Sequence, residues 1–223
     1  MSTEALTTEE VEAGQAAYTP RLLALYDLYV LGFSNRFVWR CPSARMLELY
    51  NRFAGARHLD VGVGTGWFLD RCQWPVERPQ ITLLDLNASS LQAAAHRIRR
   101  YEPQTVRANV LEPVELGDVR YDSIGMNFLQ HCLPGRLEEK AATVTRNLFP
   151  YLEPGGVLFG STVLGRGVRH NAFGRILIRA YNKKGIFSNL ADDREGLQRA
   201  LASSFSSVEI EVVGAVALLS ARA

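Results

Sequence analysis

The fold is decided by the stretch His58-Leu59-Asp60-Val61-Gly62-Val63-Gly64-Thr65-Gly66-Trp67-Phe68-Leu69. It predicts a short buried strand that runs into three alternate glycines and then into the first turn of a helix. Glycine lets the backbone turn sharply and lets a ligand lie against the main chain with no Cβ in between. A helix that begins directly after such a turn points free N–H groups at the ligand. The stretch therefore predicts a nucleotide-binding loop in a doubly wound α/β sheet.

The strands expected around this loop follow the pattern of a mostly parallel sheet. Five strands are predicted, over 58–62, 80–85, 104–109, 121–127 and 157–162. They are separated by crossover connections, which join parallel strands. Two final runs, 208–214 and 215–221, are separated only by a tight turn at Gly214 and predict an antiparallel hairpin.

The length of 223 residues favours one domain. Residues 1–17 are polar and are expected to form a flexible leader, so the domain spans 18–223. Within it, we predict an N-terminal helical cap or lid over 18–54 and a Rossmann-like core over 55–223.

The first cap helix is expected to begin near Pro20 and to stop at Gly32. Because it is apolar on nearly every side, it is either a packing helix or a lid lined with aromatic side chains.

Composition argues against several classes of partner. The formal net charge of +2 gives no electrostatic reason for binding to nucleic acid or to an anionic membrane. The three cysteines lack metal-ligand spacing and are interpreted as reduced thiols, so no metal is expected. No signal peptide and no apolar run of spanning length is found in the sequence, which predicts a cytoplasmic protein.

Two cofactor classes use a glycine loop of this kind. A dinucleotide usually needs G-x-G-x-x-G, and here the third glycine comes one residue early. The spacing of Gly62, Gly64 and Gly66 behind Asp60 instead resembles motif I of the class I S-adenosylmethionine (SAM) methyltransferases.

Three further stretches strengthen this resemblance. Leu84-Asp85-Leu86-Asn87 is similar to the second methyltransferase motif, in which an acid ends a strand and a capping residue begins a helix. The stretch Tyr121–Gly135 resembles the fourth motif of the small-molecule group, which includes enzymes related to quinone methyltransferases. Leu152-Glu153-Pro154-Gly155-Gly156 resembles the turn before the fifth strand of that group. The resemblance implies a seven-stranded sheet in the order 3-2-1-4-5-7-6, with the last strand antiparallel and helices on both faces.

The resemblance also implies which residues hold SAM and its product S-adenosylhomocysteine. Asp85 is expected to accept hydrogen bonds from both ribose hydroxyls. Asn109 departs from the acid that the family often has near the adenine amino group, although its carbonyl can still accept that N–H. The implied cofactor-binding residues are Asp60, Gly62, Gly64, Thr65, Gly66, Asp85, Leu86, Asn87, Asn109, Val110, Asn127 and Phe128.

Fewer residues can be assigned to catalysis and to the methyl acceptor. His131 follows the fourth strand and is either a general base or a hydrogen-bonded structural histidine. Tyr26, in a Tyr-Asp pair ahead of motif I, is similar to a tyrosine that closes over the cofactor in several small-molecule enzymes. The candidate acceptor-binding residues are Tyr18, Tyr29, Trp39, Thr162, Arg166, His170 and Tyr181.

The leading hypothesis is SAM-dependent methyl transfer to oxygen, nitrogen or carbon of a small, aromatic or heterocyclic metabolite. Two alternatives stay open at this point: a SAM-binding enzyme that does not methylate, such as a cyclase, and a catalytically silent SAM-binding partner subunit. The expected state is a monomer or a homodimer, with a small molecule and no nucleic acid or membrane as partner.

Overall fold

The structure, a computed structural model, describes residues 27–223, and describes side chains from residue 32 onward. The leader and the first part of the predicted cap, including Tyr18, Pro20 and Tyr26, lie outside the described residues. The side chain of Tyr29 also lies outside them.

Within residues 27–223, seven strands form one sheet. They are β1 (Arg57–Val61), β2 (Gln80–Asp85), β3 (Gln104–Arg107), β4 (Tyr121–Asn127), β5 (Leu152–Val163), β6 (Ser207–Val213) and β7 (Val216–Arg222). Their order across the sheet is β3-β2-β1-β4-β5-β7-β6. β1 to β5 pair in parallel, and β7 pairs antiparallel with both β5 and β6. The predicted Rossmann-like fold and strand order are confirmed.

Helices cover both faces of this sheet. They are α1 (Ser43–Phe53), α2 (Trp67–Arg71), α3 (Ala88–Arg97), α4 (Leu137–Leu148), α5 (Ala172–Lys183) and α6 (Arg194–Ala202). The adjacent residues Leu83 and Leu84 of β2 belong to two different clusters of buried side chains, because successive strand residues point to opposite faces. The cluster of Leu83 includes side chains of α1, α2 and α3, and that of Leu84 includes α4 and α6.

The predicted helix stop at Gly32 is wrong. A π-helical segment spans Asp27–Val38 and passes through Gly32 without ending. Ser34, Asn35 and Val38 are buried, and this packing outweighs the preference of glycine for a helix end. The chain turns away only at Arg40, which takes the left-handed conformation with φ 56°.

The fifth strand begins earlier than the predicted Val157. Leu152 already pairs with Tyr121, after which the register shifts, and pairing resumes between Ser123 and Val157. The Glu153-Pro154-Gly155-Gly156 turn is therefore an irregularity inside β5. Gly155 has φ 77°, a conformation that glycine adopts at low cost.

A buried ion pair fixes the connections that follow β4 and β5. Lys140 Nζ lies 2.9 Å from Asp192 Oδ2, and the two side chains are 1% and 2% exposed. The ammonium also donates to the carbonyls of Leu133 and Ser188 at 3.0 and 2.6 Å. Asp192 Oδ1 accepts from Leu137 N–H, at the start of α4, at 3.1 Å. One charge pair thus joins two chain segments near the carboxyl end of the sheet.

Removing one member of this pair should destabilise the fold strongly. Asp192→Asn leaves the Lys140 charge buried without its counter-ion, and we expect a loss of about 3–5 kcal/mol of unfolding free energy in urea titrations. The matched control is Glu138→Gln, which breaks the exposed pair with Arg199 and should leave the unfolding midpoint unchanged. Equal effects of the two variants would contradict this prediction.

Candidate cofactor site

The three glycines after β1 all have positive φ, but their surroundings differ. A Cβ at Gly66 would lie 3.0 Å from Ala94 Cα in α3, and one at Gly62 would lie 2.9 Å from Leu129 Cδ1. At Gly64, with φ 53°, a Cβ would meet nothing within 4 Å. Gly62 and Gly66 therefore allow close packing, whereas Gly64 borders open space.

That space is a cavity at the carboxyl ends of β1, β2 and β4. It brings together all the residues predicted to bind the cofactor. Its wall also contains residues that were not predicted from the sequence: Tyr50, Val61, Val63, Trp67, Phe68, Leu84, Ser90, Ala108, Leu129, Cys132, Leu133 and Pro134. Contact of each with a bound cofactor stays a prediction.

Asp85 ends β2 and points its carboxylate at backbone donors. Its Oδ1 accepts from Asn87 N–H at 2.8 Å, and the backbone N–H groups of Val63 and Gly64 in the glycine loop act to lower the pKa of the carboxyl group. Burial nevertheless raises the pKa of Asp85 to about 6. Asn87 in turn caps α3, because its Oδ1 accepts from Ser89 N–H at 2.8 Å.

A second buried carboxylate, Asp60, lies in the same cavity. Burial raises the pKa of Asp60 to about 7, and a hydrogen bond from the Tyr50 hydroxyl at 3.0 Å opposes this rise. The Tyr50 ring stacks on Phe68, with centroids 5.3 Å apart. The place of Tyr50 on the apolar face of the helix before β1 could have indicated that it belongs to the site. Its hydrogen bond to Asp60 could not be predicted from the sequence.

Two asparagines also line the cavity: Asn109 follows β3, and Asn127 ends β4. Asn127 Oδ1 accepts from the Ser161 hydroxyl, while its Nδ2 is buried with no hydrogen-bond partner among the described residues. Asn109 shapes its own loop, because its amide donates to Glu112 Oε1 at 3.0 Å and its Oδ1 accepts from Leu111 N–H at 3.1 Å. An unpaired buried amide is costly unless a ligand satisfies it.

His131 lies outside the wall of this cavity. Its Nδ1 accepts from Val163 N–H at 3.2 Å and lies 3.4 Å from Thr162 Oγ1. Burial, with a smaller contribution from the Lys140 charge, lowers the pKa of His131 to about 3, so the ring is neutral. This arrangement favours the structural alternative for His131 over the general base.

The residues predicted to bind the acceptor are only partly brought together. Trp39 and Tyr181 both lie against Phe187, at ring-centroid distances of 6.1 and 5.0 Å. His170 contacts the edge of Trp39 at 6.2 Å. Arg166 is instead exposed on the loop after β5. Phe187 was not singled out in the sequence, where it has no motif around it.

Three features of the cavity fit bound SAM. The open space at Gly64 gives a ligand access to the main chain, Asp85 offers a carboxylate for ribose hydroxyls, and Asn127 has an unpaired amide. The wall between them is mostly apolar, which matches a planar adenine. Together with the strand order, these features define a class I SAM-dependent methyltransferase.

Comparison with known proteins supports the same class of protein. Residues 59–158 match the family model of a methyltransferase domain. The chain is 42% identical to demethylluteothin O-methyltransferase of Streptomyces thioluteus, over 97% of this chain and 94% of that protein. It is 38% identical to the physcion biosynthesis cluster O-methyltransferase of Aspergillus chevalieri, over 94% of this chain and 95% of that protein. The chain belongs to the class I SAM-dependent methyltransferases that act on small molecules.

A solved structure supports the fold over nearly the whole chain. The DhpI complex with S-adenosylhomocysteine matches with a TM-score of 0.69 and 15% identity, over 97% of this chain and 98% of that one. In the part of this chain that the structure describes, no helix is long and apolar enough to cross a membrane. The same residues contain no cluster of three or more His, Cys, Asp or Glu side chains suited to a metal ion.

Filling the space at Gly64 should weaken cofactor binding without unfolding the protein. We expect Gly64→Ala to lower SAM affinity at least tenfold in calorimetry, because the added methyl group enters the cavity wall. The matched control is Gly117→Ala: Gly117 also has positive φ, 68°, and open space at its Cβ, but it lies away from the cavity. Both variants should lose about 1 kcal/mol of stability from backbone strain. Unchanged SAM affinity in Gly64→Ala would remove Gly64 from the site.

Cofactor affinity should also depend on pH through Asp85. The ionised carboxylate can accept from both ribose hydroxyls, whereas the protonated acid is a weaker acceptor with one oxygen carrying a proton, so SAM affinity should fall as the pH is lowered through about 6. Calorimetric titrations between pH 5 and 8 test this. Asp85→Asn should bind SAM weakly at every pH and should not show the fall in affinity near pH 6. This result would distinguish titration of Asp85 from titration of Asp60. A step of wild-type size in Asp85→Asn would assign it to another group.

Proposed function

We propose that this methyltransferase transfers the methyl group to the oxygen of an acidic hydroxyl on a planar, conjugated ring. Methylation of a small molecule follows from the family, whereas the nucleophile and the ring are our proposal. The names of the two relatives reported above support oxygen, since both are O-methyltransferases. Both names also stand against the non-methylating and catalytically silent alternatives.

The proposal depends mainly on one observation: no described residue in the wall of the cavity is placed to act as a base toward the acceptor. Among the described residues of its wall, the titratable side chains are those of Tyr50, Asp60, Asp85 and Cys132. Burial holds the pKa of Tyr50 well above its ordinary value, so its hydroxyl keeps its proton. The two carboxylates end β1 and β2, on the side predicted to hold the cofactor.

The thiol of Cys132 donates its hydrogen to the carbonyl of Phe128, 3.9 Å away, and is therefore not placed to act as a base. His131, the candidate from the sequence, already uses Nδ1 to accept from Val163 N–H. An acceptor is therefore best served if it loses its proton to solvent before the reaction. A hydroxyl made acidic by a conjugated ring can do so near neutral pH.

The protein then has to align the acceptor oxygen with the methyl group and does not have to deprotonate it. Bound SAM supplies an electrophilic methyl group on a sulfonium. A lone pair of the acceptor oxyanion forms the new O–C bond as the C–S bond breaks, which leaves a neutral thioether and requires no further proton transfer. The walls around the carboxyl ends of β4 and β5 would hold the oxyanion in line with the methyl carbon.

The remaining expectations are unchanged by these observations. A monomer or homodimer, a cytoplasmic location and the lack of a nucleic-acid partner all stay predictions.

The proposal is tested by the pH dependence of kcat/KM across a series of hydroxylated rings. The hydroxyl pKa of the series should run from about 10, the value of a simple phenol, to about two units lower, so that every acceptor titrates above pH 7. We expect the apparent pKa in each profile to follow the acceptor, measured above pH 7 where Asp85 is ionised. Release of S-adenosylhomocysteine and mass spectrometry of the methyl ether report turnover. An apparent pKa that stays constant across the series would indicate a base on the protein and would overturn the proposal.

A further inference from the structure

Phe187 is the centre of an aromatic cluster that reaches the wall of the cofactor cavity through Phe128. Its ring centroid lies 4.4 Å from His131, 5.0 Å from Tyr181 and 6.1 Å from Trp39. His131 in turn contacts Phe128 at 5.5 Å, and Phe128 belongs to the cavity wall. The cluster therefore continues the cavity from the end of β4 toward the end of β5.

Hydrogen bonds hold the backbone around Phe187, which donates its own N–H to the carbonyl of Tyr181 at 3.2 Å. The following residue, Ser188, donates its N–H to the carbonyl of His131 at 2.8 Å, and its own carbonyl accepts from Lys140. Asn189 donates to the carbonyl of Val163, at the end of β5, at 2.8 Å. Phe187 is only half-buried although its backbone is tied so firmly. An anchored aromatic ring with a free part of its surface is suited to contact a flat ligand.

The hydrogen bond to Val163 also decides which nitrogen of His131 carries the proton. A backbone N–H can only donate, so Nδ1 of His131 must be the acceptor. In a neutral imidazole the proton is then on Nε2. His131 therefore offers a fixed N–H donor beside the ring of Phe187.

We propose that Phe187 and His131 together form the binding site of the methyl acceptor. The conjugated ring packs against Phe187, and its oxygen accepts a hydrogen bond from Nε2–H of His131. Because that hydrogen bond favours the ionised oxygen, the site lowers the pKa of the bound acceptor without removing its proton. The inference rests on the proposed function and assigns it a place and a recognition chemistry.

Substitution of Phe187 tests the packing part of the site. We expect Phe187→Leu to raise KM for a ring acceptor about threefold to tenfold, because one aromatic contact with the acceptor is lost. The change in kcat should be smaller. SAM affinity in calorimetry should stay at the wild-type value, because Phe187 is not part of the cofactor cavity wall. The matched control is Phe149→Leu, which alters a similar aromatic pair with Phe205 on the other face of the sheet. A wild-type KM in Phe187→Leu would overturn the inference.

Substitution of His131 tests the donor. His131→Gln can still accept from Val163 and still donate an N–H, whereas His131→Leu can do neither. The bound acceptor is reported by the pH profile of kcat, so we expect the apparent pKa in that profile to rise in His131→Leu and to stay near the wild-type value in His131→Gln. Thermal unfolding identifies a folding defect, and a merely structural role would lower stability without moving the pKa.

An unmoved pKa in a folded His131→Leu enzyme would overturn the donor role. Failure of the proposed function is recognised separately, since wild-type profiles would then not follow the acceptor at all. Calorimetric titration of the acceptor into the enzyme saturated with S-adenosylhomocysteine still measures the contribution of Phe187 in that case.

Discussion

The close contact between the turn after β1 and helix α3 exists because Gly66 has no Cβ. A side chain there would lie 3.0 Å from the backbone of Ala94, so the helix would have to move away from the sheet. With α3 in place, its capping residue Asn87 and the carboxylate of Asp85 stay next to the loop. The position of the acid on β2 relative to the main chain after β1 thus depends on one missing methyl group.

Burial then gives the cavity its chemical character. Asp60 and Asp85 both have raised pKa values because they lie away from water, and each is held by a hydrogen-bond donor instead of a cation. On the side of β4 and β5, His131 is neutral and its neighbours around Phe187 are aromatic rings, so these groups carry no charge. A site of this kind suits a reaction in which alignment, and not proton removal, is the task of the protein.

Much of the fold was predictable because its signals are local. Alternation of strands with crossovers and the final hairpin predicted the elements, and the family resemblance predicted their order. The residues expected around the cofactor also lie in one cavity, because parallel strands bring their carboxyl ends to the same edge of the sheet. The predictions that depended on one residue preference failed: packing of Val38 and its neighbours carried the helix past Gly32, and pairing of Leu152 with Tyr121 extended β5.

The glycine loop, the acid at the end of β2 and the class of cofactor were determined by the sequence alone, since they are carried by short motifs and by the order of those motifs along the chain. Only the tertiary structure decided that Tyr50 bonds to Asp60, that Lys140 pairs with Asp192, and that Val163 occupies Nδ1 of His131. These contacts join residues from different elements, and their distances depend on how helices and strands pack. No local pattern records that packing, so the aromatic cluster around Phe187 became visible only in the folded chain.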